Sequence, residues 1–411
     1  MGKIKTLFLS YNGLLEPILP SQAVPYLEGL AKEGFRPILL TYEKNGYLKR
    51  IGKSGIATIK KDLKGHGIEW HFLRYHKHPP LLSTIFDLCI GFFYSFYFII
   101  VKKARIVHAR GITPGAIVIA LSRLVSIKVL FDMRGLLAEE YVGGGLWKEG
   151  SVPFRLVKKA ENMLLMSADA ITVLTKKHFE LYGRFDCIAK RNIPMNVIPC
   201  CVDMARFSYG AGDDLRRSLG LENKFVLMYP GKIGTFYLVK EMLDFFRCMR
   251  GVMAHTVFFV VTNDSPRGLI VQAKTMNIDP DTMVIARDVP FERMPQHIRS
   301  ADAGIFFINP YKKIGSSPIK LGEFLASGVP VIINPGIGDT ESIVRDNRVG
   351  VVVKDFDEHG YTSAITELLT LKQEKEDLKR RCREAAEKHF SLEKGVSTYV
   401  GIYRVLSGAA Q

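Results

Sequence analysis

The sequence lacks the features that mark several large protein classes. Its six cysteines among 411 residues show neither metal-ligand nor disulfide-framework spacing, and the adjacent Cys200 and Cys201 cannot bridge without strain. A disulfide scaffold is therefore not expected, and a reducing compartment is. The opening MGKIKTLFLSY has a short apolar run and no small-residue cleavage site, so it does not read as a secretory signal. A cytoplasmic location, at the inner face of the membrane, is the expectation. No G-x-G-x-x-G fingerprint follows the first apolar run, which removes the usual sign of a nicotinamide dinucleotide. Helix-turn-helix, zinc-finger and RNP signatures are also missing, as are low-complexity segments and short-period repeats.

What is present is a soluble globular composition, 47% hydrophobic and 24% charged, on a chain too long for one ordinary core. Two domains are predicted, over residues 1–207 and 208–390, with 391–411 as a closing helix. Charge divides unevenly between them. Residues 1–207 carry 30 Lys and Arg against 16 Asp and Glu, which is +14 of the total +16. Such an asymmetry predicts an anionic partner for the first half, and without a nucleic-acid signature that partner is an anionic membrane surface.

Along the chain, strand and helix patterns alternate. Residues 3–10 read as a strand, 11–17 as a loop, 21–33 as a helix stopping at Gly34, and 36–41 as a second strand, the opening of a doubly wound parallel sheet. Asn12 and Gly13 fall at the carboxyl end of the first strand, where ligands of such sheets collect. The run 85–101 (IFDLCIGFFYSFYFIIV) is the most apolar in the protein but short for a span and interrupted by Asp87. It reads either as a helix buried in the first domain or as one whose aromatic face touches lipid, helped by Lys102, Lys103 and Arg105. Strands ending at Arg110 and Phe131 place charged residues, Asp132 and Arg134 among them, just past a strand end. A polar stretch over 208–218 reads as the linker, after which the rhythm restarts with a strand over 225–229 and the loop Pro230-Gly231-Lys232-Ile233-Gly234. Two such halves predict a ligand cleft between the domains. Ser363 is expected to cap a helix, 372–389 to form a solvated helix, and Tyr399, Ile402, Tyr403 and Leu406 to form a stripe that needs a covering surface.

The most informative stretch runs from Gly315 to Ile333 (GSSPIKLGEFLASGVPVII). Ser317 suits an N-cap, Pro318 the first helical position, and Gly328 a left-handed end. Leu321, Phe324 and Leu325 have the spacing of a buried stripe, with Lys320, Glu323 and Ser327 on another face. The amides of Ser316, Ser317 and Ile319 would offer an anion site flanked by a cation, Lys320, and a carboxylate, Glu323. That layout suits a nucleoside diphosphate, with amides and lysine on the phosphates and the carboxylate on the ribose. The alternative is a capped helix with a solvated Lys/Glu pair.

Several segments together carry a resemblance. They are Asn12-Gly13-Leu14, Ile198-Pro199-Cys200-Cys201-Val202-Asp203 with Phe207, Tyr229-Pro230-Gly231-Lys232, Ser300-Ala301-Asp302-Ala303, and Pro318 to Val331. On them the chain resembles a family 4 (group 1) retaining glycosyltransferase of the GT-B fold. The resemblance implies two Rossmann-like doubly wound domains facing a central cleft, with the closing helix crossing back to the first domain. It implies a nucleotide-sugar donor on the second domain and a glycan or lipid-linked acceptor on the first, with neither cofactor nor metal nor nucleic acid. Glu323 matches the second glutamate of the family's E-x7-E motif, which holds the donor ribose; where the first should stand, this sequence has Gly315. Lys232 matches the basic residue on the diphosphate, with Lys320 substituting for its missing basic partner. Val289 lies where backbone contacts hold the base, and Gly13 lies in the loop beside the donor. Asp132 falls where many members have a histidine beside the reacting sugar, and either it or Arg134 takes that role.

The function so implied is sugar transfer from a nucleoside-diphosphate sugar to a hydroxyl acceptor with retention, in envelope polysaccharide or glycolipid assembly. Asp132, Arg134, Lys232 and Lys320 are the expected catalytic residues. Gly13, Lys232, Val289, Ser316, Ser317, Ile319, Lys320 and Glu323 are the expected donor contacts. Two other classes stay open: a nucleotide-sugar epimerase on the same fold, and a catalytically silent GT-B membrane scaffold.

Overall fold

The computed structural model describes residues 4–16, 18–210, 213–234 and 236–408. Pro17 of the first loop and residues 211 and 212 of the expected linker lie outside the described residues. The chain divides into two units, residues 1–199 with 392–411, and residues 200–391.

The first unit is built on a seven-stranded parallel sheet in the order β3-β2-β1-β4-β5-β6-β7. Its strands are β1 (Ile4–Ser10), β2 (Phe35–Glu43), β3 (Glu69–Arg74), β4 (Ile106–Arg110), β5 (Lys128–Met133), β6 (Ala170–Val173) and β7 (Met195–Val197). Leu7, Leu9, Leu39, Leu40, Val107 and Phe131 are almost wholly buried, as continuous apolar strands must be when helices cover both faces of a sheet. Strand order reverses between β1 and β4, whose register pairs Phe8 with His108 and Ser10 with Arg110. Beside them Arg110 pairs with Asp132 of β5, and Asp132 with Thr172 of β6. The polar residues at these strand ends are therefore neighbours at one edge of the sheet.

The closing helix Leu392–Ser407 belongs to this unit and packs on helix Val24–Lys32 and on β4. Tyr399, Ile402, Tyr403 and Leu406 are its buried stripe. Tyr399 meets Tyr26 edge-on at 5.0 Å, and the Tyr403 hydroxyl shares a 2.9 Å hydrogen bond with His108 Nδ1. A Cβ on Gly29 would come within 2.2 Å of Val396, so this close helix packing requires glycine there.

The second unit holds a six-stranded parallel sheet in the order β10-β9-β8-β11-β12-β13. Its strands are β8 (Phe225–Pro230), β9 (Thr256–Thr262), β10 (Met283–Arg287), β11 (Ala303–Phe306), β12 (Val331–Ile333) and β13 (Gly350–Val352). Strand order reverses between β8 and β11, so the ligand crevice of such a sheet lies at their carboxyl ends. The loop after β8 and the helix Ile319–Ala326 after β11 both start from that point.

Three expectations change here. The first unit gives way to the second at Pro199 rather than after Phe207. Val202 and Phe207 are buried in the second core, and the Val202 amide donates to Phe390 O at 2.7 Å. The stretch 372–389 is not a wholly solvated helix. Helix Lys375–Phe390 buries Leu378, Cys382, Ala385, Ala386 and Phe390 against helix Ile319–Ala326, and only its outer face carries ion pairs such as Arg380 with Asp377 and Glu384. Ser363 is not a cap. The helix containing it starts at Glu358, capped by Asp357, whose carboxylate accepts the Gly360 amide at 2.7 Å.

Candidate functional site

In the second unit the site begins with the loop after β8. Gly231 sits at φ 151°, and its amide donates to Val261 O at 2.9 Å. A Cβ there would lie 2.8 Å from Lys320 Nζ and 3.1 Å from the Tyr229 hydroxyl, so only glycine allows the lysine to approach. The Tyr229 hydroxyl donates to Lys232 O, and the Ile233 amide to Asp264 Oδ2 at 2.8 Å, which fixes the loop from both sides. Lys232 itself is exposed.

Helix Ile319–Ala326 is buried from Lys320 to its end, so Lys320 and Glu323 are not a solvated pair. Lys320 is only 6% exposed. Its ammonium stands 3.9 Å from the Tyr237 ring centroid, 4.9 Å from Tyr229 and 5.7 Å from Phe306, and has no hydrogen-bond acceptor in bonding geometry among the described residues. Ring faces attract a cation but replace only part of its lost hydration. The Lys320 charge holds the Tyr237 hydroxyl below its usual pKa against the opposing effect of burial, with Lys232 and Lys313 acting in the same direction. Three ammonium groups thus bear on one half-buried tyrosine.

Glu323, 8% exposed, is the other half of this arrangement. Burial pushes its carboxyl up to about 7, and Lys320 opposes that rise only in part. Among the described residues nothing donates a hydrogen bond to it. A buried cation, set against the loop after β8, and a buried carboxylate thus stand one helical turn apart on the same helix.

The loop before the helix departs from expectation in detail. The Ser316 amide donates to Lys313 O at 3.0 Å and is already committed. Ser317 is not the N-cap: the cap position is Pro318 without a side-chain bond, and Ser317 Oγ accepts the Cys200 amide at 3.2 Å, tying the loop to the 200–207 segment. The amides left to a ligand are those of Ile319 and Lys320, which precede the first intrahelical bond. Gly328, at φ 74°, ends the helix in the left-handed conformation. Val289 follows Asp288 (φ 52°) at the end of β10, two strands or about 10 Å from β8. It is half-buried, and its backbone amide and carbonyl make no hydrogen bond among the described residues.

Lys313 is a site residue that the sequence pattern does not reveal. It is 5% exposed, with Nζ 4.1 Å from the Phe236 ring centroid. Its only signal in the sequence is the lysine pair 312–313 just before Gly315, which reads equally well as a solvated turn.

In the first unit, Gly13 sits over a buried carboxylate. Glu43, fully buried at the end of β2, accepts the amides of Leu14 at 2.6 Å and Leu15 at 3.1 Å and the Thr41 hydroxyl at 2.6 Å. The Gly13 amide donates to Glu16 at 3.1 Å. These amides are taken inside the protein, and Gly13 is glycine because a Cβ would lie 2.4 Å from Glu43 Oε2. Asp132, 3% exposed, accepts the Thr172 hydroxyl at 3.0 Å and stands 3.6 Å from His108 Nε2 and 3.7 Å from Arg134 Nη1. Burial alone would raise its carboxyl, but Arg134, His108 and Arg110 outweigh burial and hold it well below the usual carboxylate range. Its carboxylate is committed to these neighbours, so Asp132 orients Arg134 and His108. Arg134 Nη2 donates to Gln22 at 2.7 Å and remains the more accessible of the two at this strand end. Among the described residues no group of three or more His, Cys, Asp or Glu is placed to share a metal ion.

Residues 224–371, which contain Lys232, Val289, Lys320 and Glu323, match the family model described as glycosyl transferases group 1. No curated protein matches the chain by sequence. Among solved structures, the chain is similar to sucrose-phosphate synthase from Thermosynechococcus elongatus, with a TM-score of 0.73 at 15% identity, over 99% of this chain and 100% of that one. It is similar to HepE of Anabaena in complex with UDP-glucose, with a TM-score of 0.71 at 11% identity over 98% and 100%. WaaG, a glycosyltransferase involved in lipopolysaccharide biosynthesis, gives a TM-score of 0.67 at 13% identity over 96% and 99%. With two doubly wound parallel sheets, of seven and six strands, and these neighbours along nearly its whole length, the chain has the GT-B fold.

Proposed function

We propose that the protein is a glycosyltransferase that moves a sugar from a nucleoside-diphosphate sugar to a hydroxyl acceptor with retention of configuration. The single observation that carries this reading is the pair Lys320 and Glu323, both buried, the ammonium without a hydrogen-bond acceptor among the described residues and the carboxyl raised by burial that Lys320 offsets only in part. Isolated buried charges are costly, and a diphosphate bound against the lysine and a ribose bound to the carboxylate would relieve both. The bound UDP-glucose named for HepE and the family match over 224–371 support a donor of this kind.

In the reaction, the bond between the anomeric carbon and the diphosphate oxygen breaks and its electron pair stays on that oxygen. Lys320, Lys232 and the amides of Ile319 and Lys320 stabilise the charge that develops there. A helix start alone contributes roughly 0.3–2 kcal/mol, so the lysines carry most of the effect. The acceptor oxygen forms the new bond to the anomeric carbon and passes its proton to the departing diphosphate oxygen. Glu323 holds the ribose, and Val289 offers its free amide and carbonyl to the base. The acceptor is a glycan or lipid-linked molecule of envelope polysaccharide or glycolipid assembly, as the role named for WaaG and the basic first half suggest. The enzyme works in the cytoplasm at the inner face of the membrane.

A thermal-shift screen with nucleoside diphosphates and their sugars tests donor binding, with a rise in melting temperature for one base expected. Release of the diphosphate only when an acceptor extract is added would support transfer, and release without acceptor would point to epimerisation. A second reading, a silent scaffold, is favoured by Gly315 standing where the family has a carboxylate. Donor binding by calorimetry with no turnover in any acceptor extract would establish that reading instead.

A further inference from the structure

Helix Pro80–Ile100 in the first unit is inverted in polarity. The residues it turns to the core are Ser83, Asp87, Gly91, Ser95, Phe98 and Ile99, and the first four of these, small or polar, form a ridge at helical spacing. Asp87, 1% exposed, accepts from the Tyr11 hydroxyl at 3.1 Å and the His76 amide at 3.1 Å, with His76 Nδ1 at 2.6 Å. The Tyr42 hydroxyl donates to Asp87 O at 2.8 Å, and a Cβ on Gly91 would lie 1.9 Å from that hydroxyl. The face turned away from the core is the apolar one: Leu82, Ile85, Phe86, Phe93, Tyr97 and Ile100 are 47–70% exposed. A surface helix of a soluble protein has the opposite arrangement. A contiguous exposed apolar face of this kind marks an interaction site.

The helix is long and apolar enough to cross a membrane by length and composition. Its buried Asp87 network and its packing on helix Ile112–Ser122 and β3 hold it in the unit, so it does not span. Cations flank both ends. Lys77 and His78 precede it and are exposed; Lys103 and Arg105 follow it and are exposed, while Lys102 pairs with Glu69 at 3.1 Å. A helix lying in the plane of a bilayer can set both ends against the headgroups of one leaflet, whereas a spanning helix cannot.

From this we infer that the outward face of helix Pro80–Ile100 is a bilayer-docking surface, seated in the headgroup and acyl boundary of an anionic membrane with Lys77, Lys103 and Arg105 on the phosphates. The inference rests on the membrane-facing reading above, and it identifies the element responsible. Docking brings the first unit to lipid-linked acceptors at a fixed depth.

The test is flotation of the full chain with vesicles of phosphatidylcholine containing phosphatidylglycerol, and with phosphatidylcholine alone, without donor or acceptor. A failure of sugar transfer therefore leaves this result untouched. Binding is expected with the anionic vesicles and weakened by salt. The double variant Leu82→Glu/Phe93→Glu, at positions 65% and 70% exposed, should keep its melting temperature and lose at least about tenfold in partitioning. Lys103→Glu/Arg105→Glu should lose about fivefold or more per charge on anionic vesicles only. Equal flotation of wild type and Leu82→Glu/Phe93→Glu would overturn the proposal. So would a concentration-dependent dimer that this variant converts to monomer without any vesicle binding, which would make the face a contact between copies.

Discussion

Replacing Glu323 with glutamine keeps the shape of the side chain and removes its charge. Because burial raises the Glu323 carboxyl from 4.5 to about 7, the folded protein holds a proton there that the unfolded chain releases between those two pH values. Folded stability therefore falls as pH rises through that window, by about 1.4 kcal/mol per unit and about 3 kcal/mol in all. The Glu323→Gln variant is free of that cost. It should match wild type near pH 4 and be more stable by up to about 3 kcal/mol at about pH 8.5, read from urea denaturation of the unliganded protein at each pH. Donor binding should move the other way. Losing a hydrogen bond to an ionised acceptor costs about 1.5–3 kcal/mol, or roughly 10- to 150-fold in Kd. A gain in stability with a loss of binding is the signature of a residue kept for a ligand. If the Glu323→Gln protein were less stable than wild type at that alkaline pH, the carboxylate would have an internal partner and the donor assignment would fail.

Lys320→Met should leave the unliganded melting temperature unchanged or raised, since an apolar side chain of similar length replaces a buried ammonium that has no hydrogen-bond acceptor among the described residues. The same change should cut turnover about a hundredfold, on the order of 3 kcal/mol in the barrier; normal rates would remove Lys320 from the site. Asp132→Asn should destabilise the first unit by about 3 kcal/mol at pH 7, by breaking a buried charged cluster. Because the Asp132 carboxyl is held low, its contribution is present above the ordinary Asp range and fades as pH falls below it. The deficit of the variant should shrink in acid, and a constant deficit from neutral pH down to about pH 3 would show that charge is not the cause.

The two sheets were legible because buried parallel strands are written as apolar runs of limited length, as in Leu7 to Leu9 and Val226 to Met228. The closing stripe of Tyr399, Ile402, Tyr403 and Leu406 was legible from its spacing, and Gly328 from its place after a helical pattern. What stayed hidden depends on partners distant in sequence. Nothing beside Gly13 announces that Glu43, about thirty residues on, occupies the neighbouring amides. The burial of Lys313 follows from the ring of Phe236 and from the fold of its loop, which local pattern does not specify. The segment Val202 to Phe207 joins the second core through partners distant in sequence, among them Phe390, which accepts the Val202 amide. The helix at 80–100 was ambiguous for a different reason. Apolar stripes are read as inward-facing, and here the small polar ridge is the inward one.

One consequence concerns the order in which the chain can mature. The second unit is an uninterrupted stretch, residues 200–391, inserted into the first. It can reach its final state as soon as its own last helix leaves the ribosome. The first unit, though begun earlier, cannot close until residues 392–407 are made, because Tyr403 supplies the partner of His108 and Val396 fills the groove at Gly29. The first unit therefore cannot be completed before the second. Until its final helix emerges, the nascent first unit leaves the strip between helix Val24–Lys32 and β4 uncovered, a surface suited to holding by a chaperone.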